Sequence, residues 1–419
     1  MLCNLKNNKK SYIDLFSGCG GLSLGLGKAG WEGVFAAEKD EMAFKTFAHN
    51  LIENETSHFN WPKWLPKEAT TIQDLISNYS KELLQLKGRV DLIAGGPPCQ
   101  GFSLAGRRNV KDPRNMLFNE YLKMVKIIEP KYVLLENVRG FNSSFKPSHG
   151  EKARQPYSMI VKKKLQKLGY IVYFDFVCSA KFGVPQNRTR FIMIGIKKNK
   201  INKEMNNPFE LLANLRVDFL RENKLPLEPI KVSDAIDDLL LSKNNIIYHS
   251  GTKEKGFKKI DYAIPDEQSL YLKYLRKGDE RKKPNSLRLA RHKAKTIEKF
   301  KLIQSICKPG ISLDDEMRLL VGTKKQAITV LNANEPSKTL TTLPDDLLHY
   351  SEPRILTVRE MARIQSFPDS FDILGKYTTG GTRRTQECPR YTQVGNAVPP
   401  LLGEALGYLI KKIDSTIKG

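Results

Sequence analysis

Near the N-terminus, "SYIDLFSGCGGLSLGLGKAGWEGVFAAEKD" runs from an apolar stretch, Tyr12 to Phe16, straight into a glycine-rich turn. A helical pattern through Leu22 to Ala29 and a second apolar run ending at Glu38 complete a strand, turn, helix and strand. Apolar runs recur in "VDLIAGG", "YVLLENV", "YIVYFDFVCS" and "RFIMIGI", and the helix-like "NMLFNEYLKMVKIIEP" and "YSMIVKKKLQKLG" lie between several of them. Strands alternating with helices predict an α/β fold, Rossmann-like, with a mostly parallel sheet covered on both faces. Beyond Lys197 the pattern changes. "KKNKINKEMNNPFELL" is polar and reads as a linker, about 150 residues without clean alternation follow, and helical patterning returns at "RILTVREMARIQSFP".

A chain of 419 residues has room for two domains, because single cores stop growing near roughly 250 to 300 residues. No apolar run reaches the ~18 residues of a membrane span, and the N-terminal stretch has no apolar signal region, so a cytoplasmic protein with no membrane partner is expected. The six cysteines form no CxxC pair and no zinc-spaced cluster, which argues against a metal site and against a disulfide framework. Charge changes the picture most. With 69 Lys and Arg against 45 Asp and Glu, the net charge of +24 would draw a polyanion, and nucleic acid is the leading partner.

Some residues then acquire chemical meaning. Gly18, Gly20 and Gly21 allow a tight turn and a close backbone approach to a ligand, and the next helix start offers unpaired amides. Glu38, ending the second strand, is placed as are the ribose-binding acids of dinucleotide folds. Cys99, within "DLIAGGPPCQGFSLAG", follows a strand exit, and Glu136 ends another strand, where open parallel sheets build their sites. A thiolate attacks electron-poor carbon, so the two could serve as nucleophile and acid. Taken singly, each has a plain structural explanation: a turn, an inert thiol, a surface carboxylate.

Taken in order, the motifs resemble the cytosine carbon-5 DNA methyltransferases of prokaryotic restriction-modification type. "DLFSGCGG" resembles the cofactor loop, "GGPPCQGFS" the nucleophile loop, "ENV" the glutamate segment and "VPQNRTRFIMIG" the QxRxR segment. "LTVREMARIQSFPDSF" and "YTQVGNAVPPLLGEAL" resemble the last two blocks. The resemblance implies a catalytic, cofactor-binding domain over 11–198 and 354–416, with a smaller, irregular target-recognition domain over 199–353. It implies S-adenosylmethionine as cofactor, no metal, and Cys99, Glu136, Arg188 and Arg190 as catalytic residues. Cys99 would add to ring carbon-6 of a flipped-out cytosine, Glu136 would bond ring nitrogen-3 and the exocyclic amine, and the arginines would lie toward oxygen-2.

Cofactor residues implied in the same way are Phe16, Gly18, Gly20, Glu38, Ile72, Pro98, Leu117, Asn396 and Ala397. The chain departs from the family at Lys39, where an aromatic residue is usual, and at Thr71, which takes the place of the adenine-contacting aspartate, with Asp74 nearby. Double-stranded DNA is the implied partner, with a cognate restriction endonuclease or other defence-system protein beside it. Gln100 and Ser103 are expected at the DNA. So is the basic stretch Tyr271 to Lys301, with 12 Lys and Arg against 3 acids, where Arg281, Lys282 and Lys283 would meet phosphate and Arg288, Arg291 and His292 would do closer work. A tRNA cytosine methyltransferase on the same scaffold and a catalytically inactive DNA-binding relative are the alternatives.

Overall fold

The computed structural model describes residues 9–55, 57–98, 116–143, 155–200, 207–248, 256–278, 282–378 and 386–418. Two compact units emerge: Met1–Cys178 with Thr189–Phe219 and Leu402–Gly419, and Ser179–Arg188 with Leu220–Leu401.

The strands are β1 (Lys10–Leu15), β2 (Trp31–Ala37), β3 (Leu92–Gly95), β4 (Tyr132–Val138), β5 (Tyr170–Cys178), β6 (Gln186–Asn187) and β7 (Thr189–Lys197). All but β6 form the first unit's sheet, in the order β2-β1-β3-β4-β7-β5. β1 pairs in parallel with β2 and β3, and β3 with β4, whereas β7 runs antiparallel to both β4 and β5. One reversed strand thus interrupts an otherwise parallel α/β sheet, as the alternation of elements predicts.

The inner strands are buried on both faces, which is why they read as continuous apolar runs and not as alternating ones. Tyr132 to Leu135 in β4 and Phe191 to Ile194 in β7 are fully buried. Edge strand β5 behaves differently, with Asp175 and Phe176 exposed. Ile13, Phe35, Ile93, Val125, Val133 and Met193 belong to one core cluster that joins sheet and helices. The C-terminal helix Pro400–Lys418 is tied to the sheet through the Trp31 indole N–H, which donates to the Gly407 carbonyl at 3.1 Å, and through Asp414, 2.8 Å from Lys10 Nζ. No helix among the described residues is long and apolar enough to cross a membrane.

The second unit is organised around the short helix Val358–Ile364, all seven residues of which are buried. Thr357 and Glu360 form its capping box, and Glu360 also accepts two hydrogen bonds from Arg354 at 2.8 and 2.7 Å. Arg363 binds Asp369 and Asp238, and Arg276 binds the same Asp369. Buried arginines survive because each is matched by carboxylates and carbonyls; removing one partner would strand a charge. β8 (Asn245–Tyr248), exposed throughout, pairs antiparallel with β9 (Lys258–Asp261), whose Ile260 joins a small core with Leu239, Tyr262 and Leu287.

Candidate active site

In the first unit β1, β2, β3 and β4 point the same way, so their carboxyl ends share one edge of the sheet. The chain moves outward from β1 to β2 and then returns past β1 to β3. That reversal places a crevice beyond the ends of β1 and β3, where open α/β sheets bind ligands.

The turn after β1 is held in an unusual backbone shape. Phe16, a non-glycine residue, has φ of 61°, and Gly18 has φ of 56° with nothing within 4 Å of where a Cβ would stand. Left-handed backbone at a bulky residue is strained and clusters at ligand-binding turns. The Ser17 amide donates to the Ala37 carbonyl at 3.1 Å, tying the turn to the end of β2. Glu38, the next residue along, accepts from the Gly18 amide at 3.0 Å on one oxygen and from the Asp40 amide at 2.9 Å on the other. Burial raises the Glu38 pKa, while these two amides oppose the rise. Ser17 Oγ is buried and has no hydrogen-bond partner among the described residues.

Beside Glu38, Thr70 donates its amide to the Glu38 carbonyl at 2.8 Å. Thr71 caps the helix Ile72–Asn78 by accepting from the Asp74 amide, and its hydroxyl donates to the Asp74 carboxylate at 2.6 Å. Thr71 and Asp74 are thereby both engaged at the start of that helix. Ile72 is buried in the main core, and Lys39 is exposed. An adenosine-type cofactor fits this cradle: an oriented carboxylate keeps free lone pairs and, among the described residues, a buried hydroxyl lacks a partner and nothing stands at the Gly18 face.

β3 and β4 lead to the candidate reactive residues. Asn137, 4% exposed, donates its side-chain amide to the Pro97 carbonyl at 3.0 Å and so anchors the segment that leads in sequence to Cys99. A Cβ at Gly96 would stand 3.0 Å from Glu136 Oε2, so glycine is what lets that segment pass close to the carboxylate. Glu136 Oε1 is 2.9 Å from Arg190 Nε, across the antiparallel β4 and β7 pair, with both side chains largely buried. Burial lowers the Arg190 pKa, and Glu136 counteracts it. Pro98 and Leu117 are half-buried. Cys99, Gln100 and Ser103 lie outside the described residues.

Arg188, Asn396 and Ala397 belong to the second unit. Arg188 is 2% exposed, and its guanidinium donates to the carbonyls of Leu340 at 3.1 Å and Gly395 at 2.9 Å. Asn396, exposed, ends the helix Arg390–Asn396, and Ala397 caps it.

The basic stretch is not one solvated helix. Its start, Leu270–Arg276, buries Tyr271, Leu272, Tyr274, Leu275 and Arg276. Lys282 and Lys283 are exposed, 3.6 Å from Asp372 and 3.1 Å from Asp261 respectively, and Arg281 lies outside the described residues. Arg288 stacks on the rings of Phe257 and Tyr377, 4.1 and 3.7 Å from their centroids, while Arg291 is exposed. His292 is half-buried; its Nε2 accepts from the Ile355 amide at 3.4 Å, and burial together with Arg354 lowers its pKa.

Sequence reasoning missed Asn137 and Ser17. Asn137 stood in plain view inside "ENV", but a strand asparagine signals nothing until its partner carbonyl is known. What marks Ser17 is a buried hydroxyl without a partner among the described residues, which no sequence pattern reports.

A family model for C-5 cytosine-specific DNA methylases matches residues 11–412. The type II methyltransferase M.DdeI of Desulfomicrobium norvegicum is 31% identical over 406 residues, covering 94% of this chain and 86% of that protein. M1.HphI of Haemophilus parahaemolyticus is 29% identical, covering 97% and 87%. A crystal structure of an Escherichia coli prophage-encoded protein assigned as a DNA modification methyltransferase superposes with a TM-score of 0.63 at 24% identity, covering 96% of this chain and 99% of that one; this likeness speaks for the fold alone. With the match running through the turn after β1, the Glu136 strand and the C-terminal helices alike, the chain belongs to the C-5 cytosine-specific DNA methylases, enzymes that transfer a methyl group from S-adenosylmethionine to carbon-5 of cytosine in DNA.

Proposed function

We propose that Cys99 is the nucleophile of this methyltransferase and that Glu136, Arg190 and Asn137 organise the surroundings of the target ring. The observation that supports this most is the Glu136–Arg190 pair at the carboxyl end of β4, beside the segment that Asn137 holds by the Pro97 carbonyl. The Cys99 thiolate adds to carbon-6 of the flipped cytosine, and the electron pair of the 5,6 double bond becomes available at carbon-5. Bound S-adenosylmethionine supplies an electrophilic methyl group there. Loss of the carbon-5 proton to a base then restores the double bond and expels the thiolate. Glu136 donates a hydrogen bond to ring nitrogen-3 as charge develops, and Arg190 holds the carboxyl in position.

Phe16, Gly18, Gly20, Glu38, Ile72, Pro98 and Leu117 hold the cofactor in this reading, with Asn396 and Ala397 contributing from the last block. Arg188 acts through the backbone, holding the Gly395 carbonyl next to Asn396. Residues 199–353 form the target-recognition domain and 11–198 with 354–416 the catalytic one. Gln100, Ser103, Arg281, Lys282, Lys283, Arg288 and Arg291 face DNA, and His292, a neutral acceptor of a backbone amide, supports that surface. The enzyme works in the cytoplasm with a cognate restriction endonuclease or another defence protein. Incubation with labelled S-adenosylmethionine and either duplex DNA or tRNA, followed by mapping of the methylated base, tests the reading. Label at carbon-5 of cytosine in a short duplex sequence is expected, and label in tRNA alone would overturn it.

A further inference from the structure

The cofactor turn is bounded by two elements, β1 before it and the helix Gly21–Lys28 after it, and one residue ties them together. Ser23, fully buried in the first turn of that helix, donates its hydroxyl to Asp14 Oδ2 at 2.6 Å. Its carbonyl accepts from the Tyr12 hydroxyl at 3.3 Å. Tyr12 and Asp14 stand two apart in β1 and therefore on one face of it. Ser23 grips that face at two points, and the strained turn with Phe16 and Gly18 lies between the gripped ends. The chain of bonds continues outward. Tyr12 Oη also lies 2.8 Å from His58 Nε2, a hydrogen bond whose donor is set by the imidazole tautomer. Burial pushes the His58 pKa down to about 4, consistent with a neutral ring.

Asp14 is 1% exposed. The ionisable groups that act on it or feel it are Tyr12, Glu38 and Tyr121, with Ser23 its direct hydrogen-bond partner. Among the described residues no cation is found with them. A carboxyl placed there serves as an acceptor for Ser23, a role that a neutral amide can fill equally well.

We propose that Asp14 and Ser23 are positioning residues for cofactor binding: their hydrogen bond sets the entry and exit of the Phe16–Gly20 turn and so the placement of Gly18 and Glu38. The proposal rests on the reading of this turn as the cofactor site. Equilibrium binding of S-adenosylmethionine to the full-length protein, measured by calorimetry below the melting temperature, tests it, with duplex DNA binding measured in parallel. Ser23→Ala and Asp14→Leu are expected to raise the cofactor Kd about tenfold, the effect of losing one buried hydrogen bond, and to leave the DNA Kd unchanged. Asp14→Asn is expected to stay within about twofold of the parent, since it restores the acceptor. Should Asp14→Leu fail to fold, Ser23→Ala and Asp14→Asn decide between them. An unchanged cofactor Kd in Ser23→Ala, parallel losses of cofactor and DNA binding, or equal damage from Asn and from loss of the serine hydroxyl would overturn the positioning role. Glu38→Ala separates the two levels: if it leaves cofactor affinity untouched the turn is not the cofactor site, whereas a loss there without a loss in Ser23→Ala removes the positioning role alone.

Discussion

Arg190 Nε donates to Glu136 Oε1 at 2.9 Å from a strand that runs against β4. The reversed strand of the sheet is thus the one that delivers a cation to the carboxyl beside the Gly96–Pro97 segment. Glu136→Gln keeps size and hydrogen bonding but removes the acidic proton, so single-turnover methylation should slow by about 10²- to 10⁴-fold with DNA affinity nearly unchanged. Arg190→Lys should slow it as well, because an ammonium does not reproduce the Nε geometry. Parental single-turnover rates in both variants would show the pair to be structural.

Cys99→Ser should abolish methyl transfer while S-adenosylmethionine still binds, since the nucleophile is lost and the turn after β1 is untouched. Duplexes with 5-fluorocytosine at the target should trap a covalent adduct, because fluorine does not leave as a proton does. Peptide mass spectrometry should place that adduct on Cys99. An adduct on Cys178, Cys388 or any other cysteine would remove Cys99 from the role.

Asp14 makes stability depend on pH. Burial raises its pKa from 3.8 to about 7 in the folded protein. Between those values the folded state keeps a proton that the unfolded chain has lost, so unfolding becomes easier as pH rises from about 4 to about 7. Asp14→Asn removes that dependence. Its melting temperature relative to the parent should climb from pH 4 to pH 8, by the equivalent of up to about 4 kcal/mol. Denaturation scans across this range check it, and a constant difference would show that Asp14 is ionised throughout.

The second unit should be intolerant of change at Arg363, which is fully buried against Asp369 and Asp238. Arg363→Met leaves two carboxylates short of a cation and should cost about 3–5 kcal/mol in urea unfolding. A loss below about 1 kcal/mol, the scale of a surface ion pair, would mean that water or Arg276 replaces the lost cation.

On duplex DNA, log affinity should fall with log salt at a slope of about 0.9 per phosphate contact. Replacing Arg281, Lys282 and Lys283 together by alanine should flatten that slope and weaken cognate and non-cognate duplexes alike. Arg291→Ala should instead cost about 1–3 kcal/mol on the cognate site and relax specificity there, if Arg291 reads a guanine edge. Unaltered affinity, salt slope and sequence preference in both variants would place the DNA-facing surface elsewhere.

Much of the catalytic fold was legible because its signals are local. A strand buried on both faces draws a mostly apolar run, so β3, β4 and β7 announce themselves, and a turn that needs φ near 60° draws glycine at Gly18. Motif order along the chain then pointed to the family. The sequence also exposed Glu38, Glu136 and Cys99 as residues worth a function. What it left open is what depends on partners distant in the chain. That Arg190 meets Glu136, that Asn137 holds Pro97 and that Arg188 is spent on the carbonyls of Leu340 and Gly395 follows from register and packing, which no single segment encodes. The same holds for charge. Arg276 and Arg363 look like any surface arginines in the sequence, yet both are buried, because only the assembled unit supplies Asp369 to neutralise them. Periodicity reports which face of an element is apolar, whereas the identity of the group facing a buried polar atom is set by tertiary contact alone.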